Sequence, residues 1–154
     1  MLEVEERVLE EQATLVMRAK LATEEIPNWL GQAYGGVEAA AAHYGAKLVG
    51  PPFARYRALD DDFRSFDVEA GYPVSAAPEL SGDVQSSTLP GGTAAVVVHV
   101  GRYETMTASY DALMAWVDRH DYVPEGPPWE VYLSREGPDP SQWRTEIVQP
   151  YLDV

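Results

Sequence analysis

The chain contains no cysteine and no long apolar run, and both absences restrict what the protein can be. Without cysteine there are no disulfide bonds and no thiolate metal ligands. No apolar stretch approaches the roughly 20 residues that a membrane-spanning helix needs. The N-terminus is acidic, whereas a secretory signal peptide begins with basic residues. We therefore expect a cytoplasmic protein that does not enter a membrane.

Basic residues are scarce as well. Eleven Lys and Arg stand against 25 Asp and Glu, which gives a formal net charge of −14. Such a chain repels phosphate backbones, so direct nucleic-acid binding is not expected. It attracts cationic small molecules or a basic protein surface, although many of the acids can simply form a solvated surface.

Motifs for metal, cofactor or nucleophile chemistry are also missing. The three histidines, His43, His99 and His120, are far apart and lack the spacing of metal ligands. No nucleophile elbow is present, and no glycine-rich loop that would cradle a phosphate. We expect neither a metal nor a cofactor.

What the sequence does contain is an internal repeat. Residues 50–56, Gly-Pro-Pro-Phe-Ala-Arg-Tyr, reappear at 126–132 as Gly-Pro-Pro-Trp-Glu-Val-Tyr. The segments 67–73 and 144–150, each ending in proline, also correspond. The chain is thus predicted to be a single domain, 1–154, of two pseudo-symmetric repeats at about 13–73 and 94–150.

Hydrophobic periodicity predicts the same element order in both repeats. Apolar residues recur every three or four positions in two segments, which predicts helices at 26–44 and 106–120. The predicted strands are 13–19, 53–57 and 66–72 in the first repeat, 84–89 between the repeats, and 94–100, 129–133 and 143–148 in the second. Each repeat therefore reads β-α-β-β. The predicted class is α+β: an antiparallel sheet with both helices on one face and an open face that forms a central groove.

Alternation along the strands predicts which side chains line this open face. The apolar set Trp129, Val131 and Leu133 is expected to pack under the helices together with Ile147. Glu130, Tyr132 and Glu146 would then lie on the open face. By the repeat, Tyr56 and Glu69 are their counterparts in the first half, whereas Glu130 corresponds to Ala54.

These segments, together with 66–74 and the Leu-Pro-Gly-Gly at 89–92, give the chain its resemblance to a known family. The chain resembles the GyrI-like small-molecule-binding family, which includes the effector-binding domains of AraC-type and MerR-type multidrug-responsive regulators. The resemblance extends over nearly the whole chain. It implies two β-α-β-β units around a central groove that binds lipophilic, often cationic, aromatic compounds. No helix-turn-helix segment precedes the domain, so we expect a stand-alone binding protein.

The resemblance also implies roles for particular residues. Glu146 and Glu130 would be the anionic anchors, with Glu146 the principal one. Tyr132, Tyr110, Trp143 and Trp129 would form aromatic walls; Tyr110 can equally be a core residue of its helix. Tyr56 and Glu69 either extend the site or serve the structural symmetry.

Two other functions stay open. One is a hydrolase of reactive aromatic electrophiles, with Glu146 or Glu130 as general base on water. The other is a protein-interaction module of the gyrase-inhibitor kind, in which the negative charge mimics nucleic acid.

Overall fold

The structure is a computed structural model that describes residues 2–133 and 139–153. The helices are α1 Ile26–Tyr44 and α2 Met106–Arg119. The strands are β1 Glu5–Leu9, β2 Gln12–Ala22, β3 Phe53–Ala58, β4 Ser65–Pro73, β5 Gln85–Leu89, β6 Gly92–Val100, β7 Tyr122–Pro124, β8 Trp129–Tyr132 and β9 Arg144–Asp153. The predicted α+β class and the repeated β-α-β-β order are confirmed. Two strands were not predicted from the sequence: β1, which is rich in charge, and β7, which is very short.

The chain divides into two compact units, and each contains one of the repeats. The N-terminal unit is Glu11–Pro90, and the C-terminal unit combines Met1–Glu10 with Gly91–Val154. In the N-terminal unit the antiparallel strand order is β3-β4-β2-β5. In the C-terminal unit it is β1-β6-β9-β8, with β7 paired to another part of β9.

Helix α1 packs on β2 and β4 of its unit. It ends where the sequence predicts, because Gly45 adopts the left-handed conformation (φ 71°) that glycine tolerates best. The two strands beneath it approach each other closely at Gly71. A Cβ atom at this position would lie 1.8 Å from the backbone oxygen of Leu15, so only glycine fits.

Helix α2 covers the core of the C-terminal unit. The buried side chains of this core are Ala95, Val97, Met106, Leu113, Val117, Ile147 and Tyr151. Their strand members alternate with residues that face away from α2, as a period of two requires. This core defines the α2 side of the sheet, which positions the site described next.

Candidate functional site

The pairing of β8 with β9 decides which side chains lie on the α2 side. Residues directly opposite each other on antiparallel strands share a face. Glu130 lies opposite Ile147, the core residue beneath α2, and Tyr132 lies opposite Thr145. Val131 lies opposite Glu146, on the other face. Glu130 and Tyr132 are therefore on the α2 side, and Glu146 is not.

The register shows that the predicted faces of β8 are wrong, because the side chains expected under the helix lie on the other face. The predicted faces of β9 are confirmed. The apolar set of β8 was predicted to pack under the helix. Instead Leu133 is 46% exposed and Val131 is only half-buried. Trp129 is buried, but it lies opposite Val148 on the face away from α2. The assumption failed because α2 supplies a polar partner for the carboxylate of β8.

That partner is Tyr110, which together with Tyr132 surrounds the Glu130 carboxylate in a small acidic cluster of three residues. The hydroxyl of Tyr110 donates to Glu130 Oε2 at 2.5 Å, and the hydroxyl of Tyr132 donates to Glu130 Oε1 at 2.8 Å. Burial raises the pKa of Glu130 above its ordinary value, and the two tyrosine bonds and nearby His99 oppose this shift only in part. Among the described residues no Arg or Lys forms an ion pair with this carboxylate.

Aromatic rings continue from this cluster towards the surface. The ring of Tyr103, in the turn before α2, meets that of Tyr132 edge to face at 6.0 Å. It also meets the ring of Trp143 at 5.2 Å, tilted by 31°. Tyr103 is 39% exposed, so the aromatic group extends from a partly buried carboxylate to solvent. Tyr103 was missed because it precedes the periodic part of the helix and has no counterpart in the repeated motif.

Glu146, the expected principal anchor, has a different environment. Its Oε1 accepts a hydrogen bond from Arg7 Nη1 at 2.9 Å, and the same guanidinium contacts Glu5 at 3.0 Å. The Glu146 side chain is 16% exposed. Its charge is therefore already compensated by an arginine of β1, a strand that the sequence analysis did not predict.

Glu69 of the N-terminal unit is also compensated. Arg55 approaches its Oε1 at 2.7 Å, and Arg18 approaches its Oε2 at 2.8 Å. Tyr56, predicted to share the open face with Glu69, lies opposite Val68 on the α1 side and meets the ring of Phe66 at 6.0 Å. The prediction that Tyr56 and Glu69 share a face is wrong, for the same reason of parity as in β8.

Comparison with known protein families gives a match over nearly the whole chain. A profile of the GyrI-like small molecule binding domain matches residues 2–152. The chain belongs to the GyrI-like family. No protein of curated function matches it in sequence.

Several solved structures share this GyrI-like fold. The C-terminal domain of EcmrR is 22% identical, with a TM-score of 0.84, and the match covers 100% of this chain and 98% of that one. EcmrR in complex with DNA is 25% identical, with a TM-score of 0.83; the match covers 99% of this chain but 58% of EcmrR. This GyrI-like chain therefore spans little more than half the length of that protein.

SAV2435, solved with bound tetraphenylphosphonium, is 14% identical, with a TM-score of 0.65, and the match covers 97% of this chain and 94% of that one. A hydrolase encoded by lin2189 from Listeria innocua is 12% identical, with a TM-score of 0.67 and coverage of 97% and 92%. At identities below 25% these likenesses establish the fold alone.

Glu130 has no counterpart in the other repeat of this GyrI-like chain. Tyr34 of α1 corresponds to Tyr110 of α2, and its hydroxyl donates to the backbone oxygen of Phe53 at 2.9 Å. The position of Glu130 is occupied in the N-terminal unit by the buried Ala54. The acidic cluster is therefore a departure from the symmetry of the fold and is not required by it.

Two further polar residues lie on the α2 side near Glu130. His99 Nε2 is 2.8 Å from the carbonyl oxygen of Arg102, which can only accept, so Nε2 carries a proton. In the neutral ring Nδ1 then accepts from the Ser109 hydroxyl, at 2.7 Å. Thr145, opposite both His99 and Tyr132, has a buried hydroxyl without a hydrogen-bond partner in the part of the chain that the structure describes.

Other kinds of site have no support among the described residues. No group of three or more His, Asp or Glu side chains is placed to hold a metal ion in the ranges 2–133 and 139–153. No described helix combines the length and the apolar character needed to cross a membrane.

Proposed function

We propose that this GyrI-like chain binds lipophilic aromatic cations, with Glu130 as the anionic anchor. The observation that carries the proposal is the partly buried Glu130 carboxylate, which accepts hydrogen bonds from two tyrosine hydroxyls and forms no ion pair with a described Arg or Lys. A buried carboxylate without a counter-ion is unfavourable, and a bound cation relieves that cost.

The surrounding rings favour an aromatic or lipophilic cation over a small hydrated one. The rings of Tyr132, Tyr103 and Trp143 form a continuous group beside the carboxylate. Each aromatic face that meets a cation contributes about 0.5–2 kcal/mol. The tetraphenylphosphonium bound by SAV2435 belongs to this chemical class.

The anchor is thus Glu130, whereas the sequence analysis ranked Glu146 first. Glu146 and Glu69 already have arginine partners, so a cation would have to displace a guanidinium to reach either. Their participation in ligand binding stays a prediction.

A matched pair of variants tests the choice of anchor. Tetraphenylphosphonium and the neutral triphenylphosphine oxide are titrated against the wild type, Glu130→Gln and Glu146→Gln, with tryptophan fluorescence as the readout. Loss of a charge-assisted contact in a desolvated site costs roughly 1.5–3 kcal/mol, or about 10- to 150-fold in affinity. We expect this loss for the phosphonium in Glu130→Gln and little change in Glu146→Gln.

The neutral oxide is the control for the shape of the site. Glu130→Gln should bind it about as well as the wild type does. If both compounds lose affinity equally, Glu130 maintains the structure of the site and is not an anchor. No saturable phosphonium binding by the wild type would contradict the proposal itself.

The 2.5 Å bond between Tyr110 and Glu130 supports a second candidate function, hydrolysis. A carboxylate whose pKa is raised by burial is a better general base near neutral pH than an exposed one. It would take a proton from water as the water oxygen attacks an electrophilic carbon, while a tyrosine hydroxyl protonates the departing oxygen.

Incubation with styrene oxide, followed by mass spectrometry of the diol, tests this reaction. Loss of turnover in Glu130→Gln would favour the enzyme, provided that the variant still binds tetraphenylphosphonium measurably, as followed by displacement of a bound dye. Absence of diol above the uncatalysed background, across a set of aromatic epoxides, would leave binding as the function.

A further inference from the structure

The edge of β6 is only partly covered by its neighbour. Strand β1 pairs with β6 from Leu9 opposite Gly92 to Glu5 opposite Val96, and the pairing ends there. Residues 97–100 of β6 continue for another four positions. Among the described residues, nothing pairs with that side of this segment.

The backbone groups that point to this edge can be identified from the register. Gly101 N–H donates to the carbonyl of Trp143 at 2.8 Å, and the β6–β9 register is constant from Ala94 to Val100. Odd-numbered residues therefore direct their peptide groups at β9, and even-numbered ones direct them away. The N–H and C=O groups of Val98 and Val100 thus face the uncovered edge, where no described backbone hydrogen bond reaches them.

A cavity of about 1170 Å³ lies along the same edge. Val98 and Val100 line it and are 37% and 51% exposed. Ala108, in the first turns of α2, lines another part of it, and Glu3 and Glu5 border it as well. Residues 2–4, which precede β1, and Arg7 also line this cavity, so the edge opens on a space with both apolar and charged walls.

The two parts of this sheet edge differ in how they are protected against pairing. Strand β1, the outermost strand, carries the charged residues Glu5, Glu6 and Arg7, the usual protection of an edge strand. Segment 97–100 reads Val-Val-His-Val, and its one polar side chain, His99, is buried. The uncovered part of β6 thus lacks the charges that prevent strand addition.

We propose that this edge binds an extended segment of a partner protein in which apolar residues alternate with lysine or arginine. Addition of a strand satisfies the peptide groups of Val98 and Val100. Long basic side chains can cover the exposed valines with their aliphatic stems while their charges reach the exposed Glu3. The apolar set then faces Ala108 and the start of α2.

The charge of the chain argues for a basic partner over a second copy. Pairing two β6 edges would bring together two chains that each carry −14. Like charges across an interface oppose association, whereas a basic segment is attracted over distance. Arg7, the basic residue beside the cavity, is already engaged by Glu5 and Glu146.

The probe is a capped, fluorescein-labelled peptide, Val-Lys-Val-Lys-Val-Lys, and its glutamate analogue is the charge control. Binding is followed by fluorescence anisotropy with the wild type, Val98→Pro and Val8→Pro. Proline removes an N–H without touching the β9 ladder, because the N–H of Val98 faces the open edge. Val8, 81% exposed, directs its N–H to the outer edge of β1, outside the cavity, and is the matched control.

We expect saturable binding of the lysine peptide and none of the glutamate peptide. Val98→Pro should weaken binding at least about tenfold, since it removes one hydrogen bond and obstructs its neighbour. Val8→Pro should bind as the wild type does. If Val98→Pro does not fold, Val100→Lys retains every backbone donor and should still weaken the lysine peptide and favour the glutamate peptide.

Three results would overturn the proposal. One is unchanged affinity in both Val98→Pro and Val100→Lys. Another is equal binding of the two peptides. The third is self-association of the wild type in analytical ultracentrifugation that Val98→Pro abolishes, because the occupant would then be a second copy of the chain.

Discussion

Replacement of Glu130 by glutamine should change how the stability of the protein depends on pH. Burial raises the pKa of Glu130 above its ordinary value of about 4.5. Between that value and the raised one, the folded protein holds a proton that the unfolded chain has released. The stability of the wild type therefore falls as pH rises through this window, and the loss is complete above the folded pKa.

The size of the effect follows from the competition within the cluster. Each unit by which the folded pKa exceeds the unfolded one corresponds to about 1.36 kcal/mol of stability. The direction of the shift shows that desolvation outweighs the bonds from Tyr110 and Tyr132 together with the influence of His99. Glutamine has no charge at any pH, so Glu130→Gln escapes this loss while it keeps neutral hydrogen bonds worth about 0.5–1.5 kcal/mol each.

The assay is urea unfolding of both proteins from pH 4 to pH 8, without ligand. We expect the stability of Glu130→Gln minus that of the wild type to lie within about 1 kcal/mol of zero at the acid end. The difference should then grow with pH to a positive plateau.

Glu146→Gln is the control, because it loses its contact with Arg7 and should be destabilised at neutral pH. A stability difference for Glu130→Gln that is flat or falls between pH 4 and pH 8 would refute the reasoning. It would mean that the tyrosine bonds, and not desolvation, determine the charge state of the cluster.

Three other substitutions test the fold and its ion pairs. Glu69→Gln should destabilise the protein by roughly 1–3 kcal/mol in urea unfolding, because Arg55 and Arg18 lose a shared, largely buried carboxylate; an effect below about 0.5 kcal/mol would mean that the pairs are screened. Gly71→Ala should prevent folding or lower the stability of the folded protein by more than about 3 kcal/mol, because the new Cβ would lie 1.8 Å from the backbone oxygen of Leu15. A soluble variant with a normal melting temperature would contradict this expectation. Gly31→Ala, in α1 with no atom within 4 Å of the new Cβ, should stabilise by up to about 1 kcal/mol, and thermal unfolding should show a higher midpoint.

The amino-acid sequence by itself determined the element order and most element bounds. The spacing of apolar residues and the position of Gly45 predict the end of α1 at Tyr44, and the same spacing predicts the end of α2 to within one residue of Arg119. These are local properties, since helix periodicity and a left-handed glycine depend on a few neighbouring residues. The repeated motif then identified the two β-α-β-β units and the family. Cytoplasmic location and a contact with gyrase stay predictions.

Only the tertiary structure decided the composition of the site. Alternation separates Glu130 and Tyr132 from Val131, but it does not say which set faces the helix; that depends on the register with β9. The partner of Glu130 comes from another element, 20 residues away, and that of Glu146 from β1, 139 residues away. Such long-range contacts decide which carboxylate pairs with an arginine and which, among the described residues, meets only tyrosine hydroxyls. The surroundings of Glu130 and Glu146 therefore differ although the sequence predicted both as anionic anchors on one face.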